Sequence, residues 1–142
     1  MKRSCVHRLA RLVPLLGLPA CHVGTRADKF PLAQRPEGVE VKVAVRGAPR
    51  VTGELLAVED TALLILRERR VVLVPARSIR DVRLRGLPDF LPLGVGRDGR
   101  FEQDDALRHT RLVSRFPQGL APPLMQALLS AYAQTAVDVV AP

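Results

Sequence analysis

A hydroxyl, an imidazole and two carboxylates lie within eleven residues at Ser114, His109, Asp104 and Asp105. These are the residue types of nucleophilic hydrolysis, in which a base takes the proton from an attacking oxygen. The spacings are local, however, and no nucleophile motif surrounds Ser114. The polar face of a short helix accounts for all four. The stretch "DGRFEQDD", 98–105, has the acidic density of a calcium loop. It lacks the D-x-[DN]-x-[DN]-G order with a terminal Glu, so it reads as a turn followed by a capped helix start. His22 and His109 stand outside any cluster with metal-ligand spacing. "GVGRDG" sits between prolines rather than after a strand, and reads as a flexible connector, not a phosphate loop. No catalytic residue, no metal ligand and no cofactor is assigned.

Arginine is the residue type that gathers. Arg67, Arg69, Arg70, Arg77, Arg80, Arg83 and Arg85 fall in one nineteen-residue stretch. Strand alternation puts Arg83 and Arg85 on one face. The candidate anion-binding residues are therefore Arg77, Arg80, Arg83 and Arg85, facing phosphates of lipid or nucleic acid. The competing assignment is a solvated outer face. Residues 39–85 contain no Phe, Tyr, Trp or His, so there is no platform on which bases could stack. That makes nucleic acid a poor partner and anionic lipid a better one.

The chain has 142 residues and a formal net charge of +8. Lys2, Arg3, Arg8 and Arg11 form a basic start, followed by the apolar run of residues 12–20. This is the two-part pattern of a secretory signal, and too short to span a bilayer. Without residues 1–20 the chain carries 18 basic and 14 acidic residues, a net charge of +4. Half of the basicity thus belongs to the leader. Cys5 and Cys21 cannot build a disulfide framework or a paired-Cys zinc site.

The run ends Leu18-Pro19-Ala20-Cys21, which resembles the lipobox of bacterial lipoproteins. The resemblance covers residues 1–21. It implies that Cys21 is the lipidation site, that residues 1–20 are removed, and that acyl chains anchor the protein through its new N-terminus. His22, rather than Asp, follows the cysteine. In enteric lipoproteins that goes with sorting to the outer membrane.

Residues 21–38 read as the lipidated Cys and a tether, with Gly24, Pro31, Pro36 and Gly38 among scattered charges. Five strands should follow within 39–86. "VEVKVAV" alternates strictly; "VTGELLAV" carries Gly53 where a bend is expected; "ALLILR", "RVVLVP" and "DVRLR" complete the set. Short turns make the neighbours antiparallel. The run "VTGELLAVEDTALLIL" followed by "RVVLVPARSIRDVRL" resembles the Sm-like fold, within the wider SH3-like group. The resemblance spans residues 39–85 and implies a closed five-stranded antiparallel barrel. It carries over no functional residue: the base-stacking aromatic and the Lys-His pair of the bacterial Sm-like RNA chaperone have no counterpart near Ala76 and Arg77.

Residues 87–102 form a Pro/Gly-rich connector, and 103–142 two helical patterns. The first runs from about Asp104 to Ser114. The second opens at Pro122 and Pro123, then repeats Leu124, Met125, Leu128, Leu129, Tyr132 and Ala136 at helical spacing. Its purpose is legible in the strands. Leu63 and Ile65 can face one side of the sheet, but Leu64 and Leu66 then face the other. Val71 and Leu73 oppose Val72 and Val74 in the same way. Strands apolar on both faces need cover on both, and the second helix supplies a matching stripe.

The fold class expected is mainly β with C-terminal α: a small barrel with a helical pair packed on it. The function expected is a non-enzymatic binding or scaffolding module of the bacterial cell envelope, lipid-anchored on the periplasmic face, with the outer membrane favoured. Its partners would be the membrane, an anionic lipid or an envelope protein, and homo-oligomers through edge strands are compatible with the pattern. The alternative is a cytosolic Sm-like nucleic-acid-binding protein.

Overall fold

The computed structural model describes Leu32, residues 36–88 and residues 92–140. Cys21, the leader and most of the tether lie outside the described residues. Strand β1 is Glu40–Val45, β2 Val51–Val58, β3 Ala62–Arg67, β4 Arg70–Pro75 and β5 Ile79–Leu84. Each begins and ends within two residues of its sequence pattern. Along β1 the alternation is complete: Val41, Val43 and Val45 are buried, while Glu40, Lys42 and Ala44 point away. A tight turn joins β3 to β4, with Glu68 and Arg69 both in the left-handed region at φ 50° and 63°. That handedness matches the twist of the flanking strands. A short 3-10 turn, Ala76–Ser78, leads into β5, where the Ser78 hydroxyl donates to the Pro75 carbonyl at 2.7 Å.

Gly53 does what a bend glycine must. A Cβ there would lie 2.3 Å from the Leu66 carbonyl oxygen, so only glycine lets β2 and β3 approach. Two residues later the β2–β3 register shifts between Leu55 and Ala57. The irregularity turns Leu55 toward one face, and Leu56 and Ala57 toward the other. The segment after the first helix satisfies the carbonyls exposed there: the Arg115 amide donates to Leu55 at 3.0 Å and the Phe116 amide to Leu56 at 2.8 Å.

The sheet is not the closed five-stranded barrel expected. It is open, six-stranded and mixed, in the order β5-β1-β2-β3-β4-β6. The added strand, β6 at Asp138–Val139, pairs parallel to β4. Closure would require β4 to pair with β5. Instead β6 takes Val72 and Leu73, and the Gln134 side chain takes Val71, accepting from its amide at 2.5 Å and donating to its carbonyl at 3.3 Å. With its backbone groups engaged in this way, β4 has none to offer β5.

The two faces of the sheet carry separate cores. On one, Val41, Val43, Leu55, Leu63, Ile65, Val72 and Val74 pack together with Phe101 and Leu107. Helix α1, Asp105–Leu112, supplies Leu107; its start is fixed by Asp104, whose Oδ1 accepts from the Leu107 amide at 2.9 Å. Phe101 comes from the stretch read as a flexible connector. Within it, residues 95–101 form a small hairpin in which Val95 bridges to Phe101, and Phe101 is buried. On the opposite face Leu56, Ala57, Leu64 and Val71 meet Leu66, Leu73, Met125, Leu128, Leu129 and Tyr132. Most of these helical residues belong to α2, Pro122–Ala131, which ends before Ala136 because the chain turns at Ala133 into β6. None of the residues of α2 is fully buried, and Leu124 is 40% exposed. Its cover is real but thin. Every buried residue in the described chain lies between Val39 and Gln134.

Candidate functional site: a basic groove on the β1–β5 edge

Beyond a bulge against Val45, β5 pairs antiparallel with β1 and alternates: Val82 and Leu84 turn to the core, while Asp81, Arg83 and Arg85 turn out. Lys42 stands directly opposite Arg83. Together with Glu40, Arg50, Leu84 and Arg85 they line an open groove of about 640 Å³. Four cations and one carboxylate thus line it. Glu40 lies 3.6 Å from both Lys42 Nζ and Arg85 Nη1, and Asp81 accepts from Arg83 Nε at 3.2 Å. Two like charges opposed across a strand pair are unfavourable without a counter-charge. Here each has one carboxylate beside it, but four cations face only Glu40 and Asp81, and an anion laid along the groove would balance that excess.

A second, smaller groove continues from the first through Glu40 and Arg85 to Leu32, Gly38, Val39 and Gly86. The N-terminal segment therefore joins the sheet beside the cations. The junction is firmly built. The Gly38 amide donates to Glu54 Oε1 at 2.8 Å, and a Cβ at Gly38 would fall 1.9 Å from the Leu55 carbonyl oxygen. Glu54 also receives Arg115, Nη2 donating to Oε2 at 2.8 Å; Nε is 2.7 Å from Oε1 but without the alignment of a hydrogen bond.

The four candidate arginines are not one cluster. Arg83 and Arg85 share the groove, as alternation predicts. Arg77, on the 3-10 turn, lines a different hollow with Pro75, Asp98 and Gly99, and Arg80 sits at the bulge that opens β5. Arg80 has the parity of Val82 and Leu84, opposite to Arg83 and Arg85, and the extra residue at the bulge leaves it exposed outside the groove. Lys42 and Arg50 complete the groove, and sequence reading passed over them. Lys42 was visible as a polar position of β1, but its neighbour across the ladder depends on which strands pair.

Arg67, Arg69 and Arg70 serve the β3–β4 turn. Arg69 sits 6.0 Å from the centroid of the Tyr132 ring. Arg70 grips Asp138 through two bonds, at 2.6 and 3.0 Å. The hydrogen bond to Arg70 holds the Asp138 carboxyl below its ordinary value, and the same bond raises Arg70.

The groups with hydrolytic chemistry are spent on local structure. The Ser114 hydroxyl donates to the Arg111 carbonyl at 2.7 Å, His109 Nδ1 lies 2.7 Å from the Asp105 carbonyl, and Asp105 pairs with Arg108. Asp98 accepts from the Arg100 amide at 3.1 Å within the hairpin turn. Among the described residues no three His, Cys, Asp or Glu side chains gather as metal ligands, and no helix is long and apolar enough to cross a membrane. Comparison with known proteins finds no matching family model, no matching curated protein and no matching solved structure.

Proposed function

We propose that this chain is a lipid-anchored protein of the bacterial envelope, acylated at Cys21. Its sheet domain is a non-enzymatic module that lies against anionic lipid headgroups through the β1–β5 groove. The observation that carries this reading is positional. The segment that would tether the domain to the bilayer joins the sheet one residue before Glu40, at the lip of the groove that holds Lys42, Arg50, Arg83 and Arg85. A tether attached there keeps the cations within reach of the surface and raises their effective concentration at it. The Sm-like resemblance is kept at the level of strand pattern: a glycine-permitted crossing at Gly53 and a short turn from β4 into β5. Nothing in the groove offers a base-stacking aromatic, which is why phosphate on lipid is favoured over RNA.

Each basic residue near an anionic surface contributes about 1 kcal/mol at moderate ionic strength. Removing Arg83 and Arg85 together should therefore weaken binding roughly 30-fold. The test is co-sedimentation of residues 22–142, which contain all the buried residues described, with phosphatidylglycerol and phosphatidylcholine vesicles. Preference for phosphatidylglycerol, lost in Arg83→Ala/Arg85→Ala and weakened by salt, supports the reading. Equal binding to both lipids, or sub-micromolar sequence-selective binding to single-stranded RNA, overturns it.

A further inference from the structure

The last described residues, 134–140, reach the body in an unusual way. Past the cap of α2, their hydrogen bonds run to β4, apart from a 3.3 Å bond from Gln134 Nε2 to the Ala136 carbonyl. Gln134 brackets both backbone groups of Val71, β6 pairs with Val72 and Leu73, the Val140 amide donates to Leu73 at 2.9 Å, and Asp138 takes Arg70. The β6 ladder covers two residues, whereas the other pairings in the sheet are antiparallel and cover at least four. The ion pair that pins it is half-exposed, and Val139 leaves 62% of its surface in water.

The link to α2 is a single residue in a costly conformation. Ala133 has φ 54°, left-handed in a residue that carries a Cβ. That turn points 134–140 back onto the β4 of its own chain. Opening it relieves the backbone and frees a segment with few attachments to the body: Gln134 to Val71, Asp138 to Arg70, Val140 to Leu73, and the partly buried Val137 and Val140 against the two cores. A second copy offers the same residues in the same places, so nothing is lost when arms are exchanged, and domain exchange of this kind is a low-cost route to a dimer.

We propose that residues 134–140 are an exchangeable arm, that the β4 edge is its receptor, and that a second copy of this chain is the partner. Ala133 is the hinge. The inference stands apart from the lipid-facing groove, which lies at the other end of the strand order.

The test uses the full chain, purified in mild detergent and examined by native mass spectrometry. The wild type should show dimer that grows with concentration. Ala133→Pro cannot adopt a positive φ and loses the amide that donates to Ser130 at 3.1 Å, so the closed turn is disfavoured. It should raise the dimer association constant roughly tenfold or more, and Ala133→Gly, which relaxes the closed turn, should lower it. A complementary pair makes the result independent of how Ala133→Pro folds. Arg70→Asp and Asp138→Arg each place like charges at the arm and should be poor dimers alone. Mixed, they restore an opposite-charge pair at both exchanged sites and should form a heterodimer distinguishable by mass. A mixture that yields no heterodimer overturns the proposal, as does a folded Ala133→Pro chain that remains monomeric at every concentration.

Discussion

Leu63 and Leu64 are adjacent in β3, both almost fully buried, and packed into different cores. Truncating each to alanine therefore weighs the two faces of the sheet against one another. Leu63 lies at 0% exposure among side chains that are themselves rigidly buried, so its cavity cannot collapse. Leu→Ala at such sites costs about 3–5 kcal/mol. Leu64, at 2% exposure, meets Leu56, Ala57 and Val71 below and the half-buried stripe of α2 above. The helix can settle into part of the void, which places Leu64→Ala at about 2–3 kcal/mol. For a body of about 100 residues, 1 kcal/mol moves the melting temperature by about 4–8 °C, so Leu64→Ala should melt roughly 10–20 °C low. Urea unfolding of both variants, with wild-type slopes, gives the two numbers directly. A Leu64→Ala cost within about 0.5 kcal/mol of zero would mean that α2 does not cover this face, and the two-core account would be wrong.

Other outcomes follow from the same contacts. A chain ending near Phe116 loses the cover over Leu64, Leu66, Val71 and Leu73, and should be insoluble or lack a cooperative melt; Leu128→Asp, which puts a charge in that contact, should cost about 1–3 kcal/mol by urea unfolding. Gly38→Ala drives a methyl into the Leu55 carbonyl and should destabilise by about 1–3 kcal/mol in the same assay. Replacing Glu68-Arg69 by Asn-Gly suits the two left-handed positions and should stabilise by about 1 kcal/mol, less whatever the Arg69–Tyr132 contact contributes. Asp138 has its pKa depressed in the folded chain, so its hold on Arg70 is present above the ordinary carboxylate range and is lost as pH falls through the depressed value. Exchange of the Val140 amide, corrected for intrinsic rates, should accelerate on acidification in the wild type and be fast at all pH values in Asp138→Asn.

Much of the fold was written in local pattern. The five strands of 39–84 were legible because each is a short apolar run bounded by turn residues, and the alternation from Val39 to Val45 fixed which face of β1 is wet. The double-sided character of β3 and β4 announced the helix that packs on them. Asp104 announced the start of α1. What stayed hidden depends on partners distant in sequence. A two-residue strand such as Asp138–Val139 has no periodicity to read, yet by occupying β4 it keeps the sheet from closing as a barrel. The Glu54–Arg115 pair joins residues 61 apart, and Phe101 lies in a Pro/Gly-rich stretch without strand periodicity, so its burial follows only from the hairpin that folds onto the core. Of the candidate site, the shared face of Arg83 and Arg85 was available from alternation. Lys42 and Arg50 were not, because their place depends on which strands pair, and the bulge at Arg80 has no signal in composition.

The proposed acylation of Cys21 can be weighed on the intact protein recovered from the bacterial envelope. Its mass should be that of a chain beginning at Cys21 with two or three acyl groups. Treatment with globomycin, which blocks lipoprotein signal cleavage, should instead accumulate the full-length form, and Cys21→Ser should remain unacylated. A wild-type chain recovered from the soluble fraction with residues 1–20 attached and no added lipid mass would contradict it.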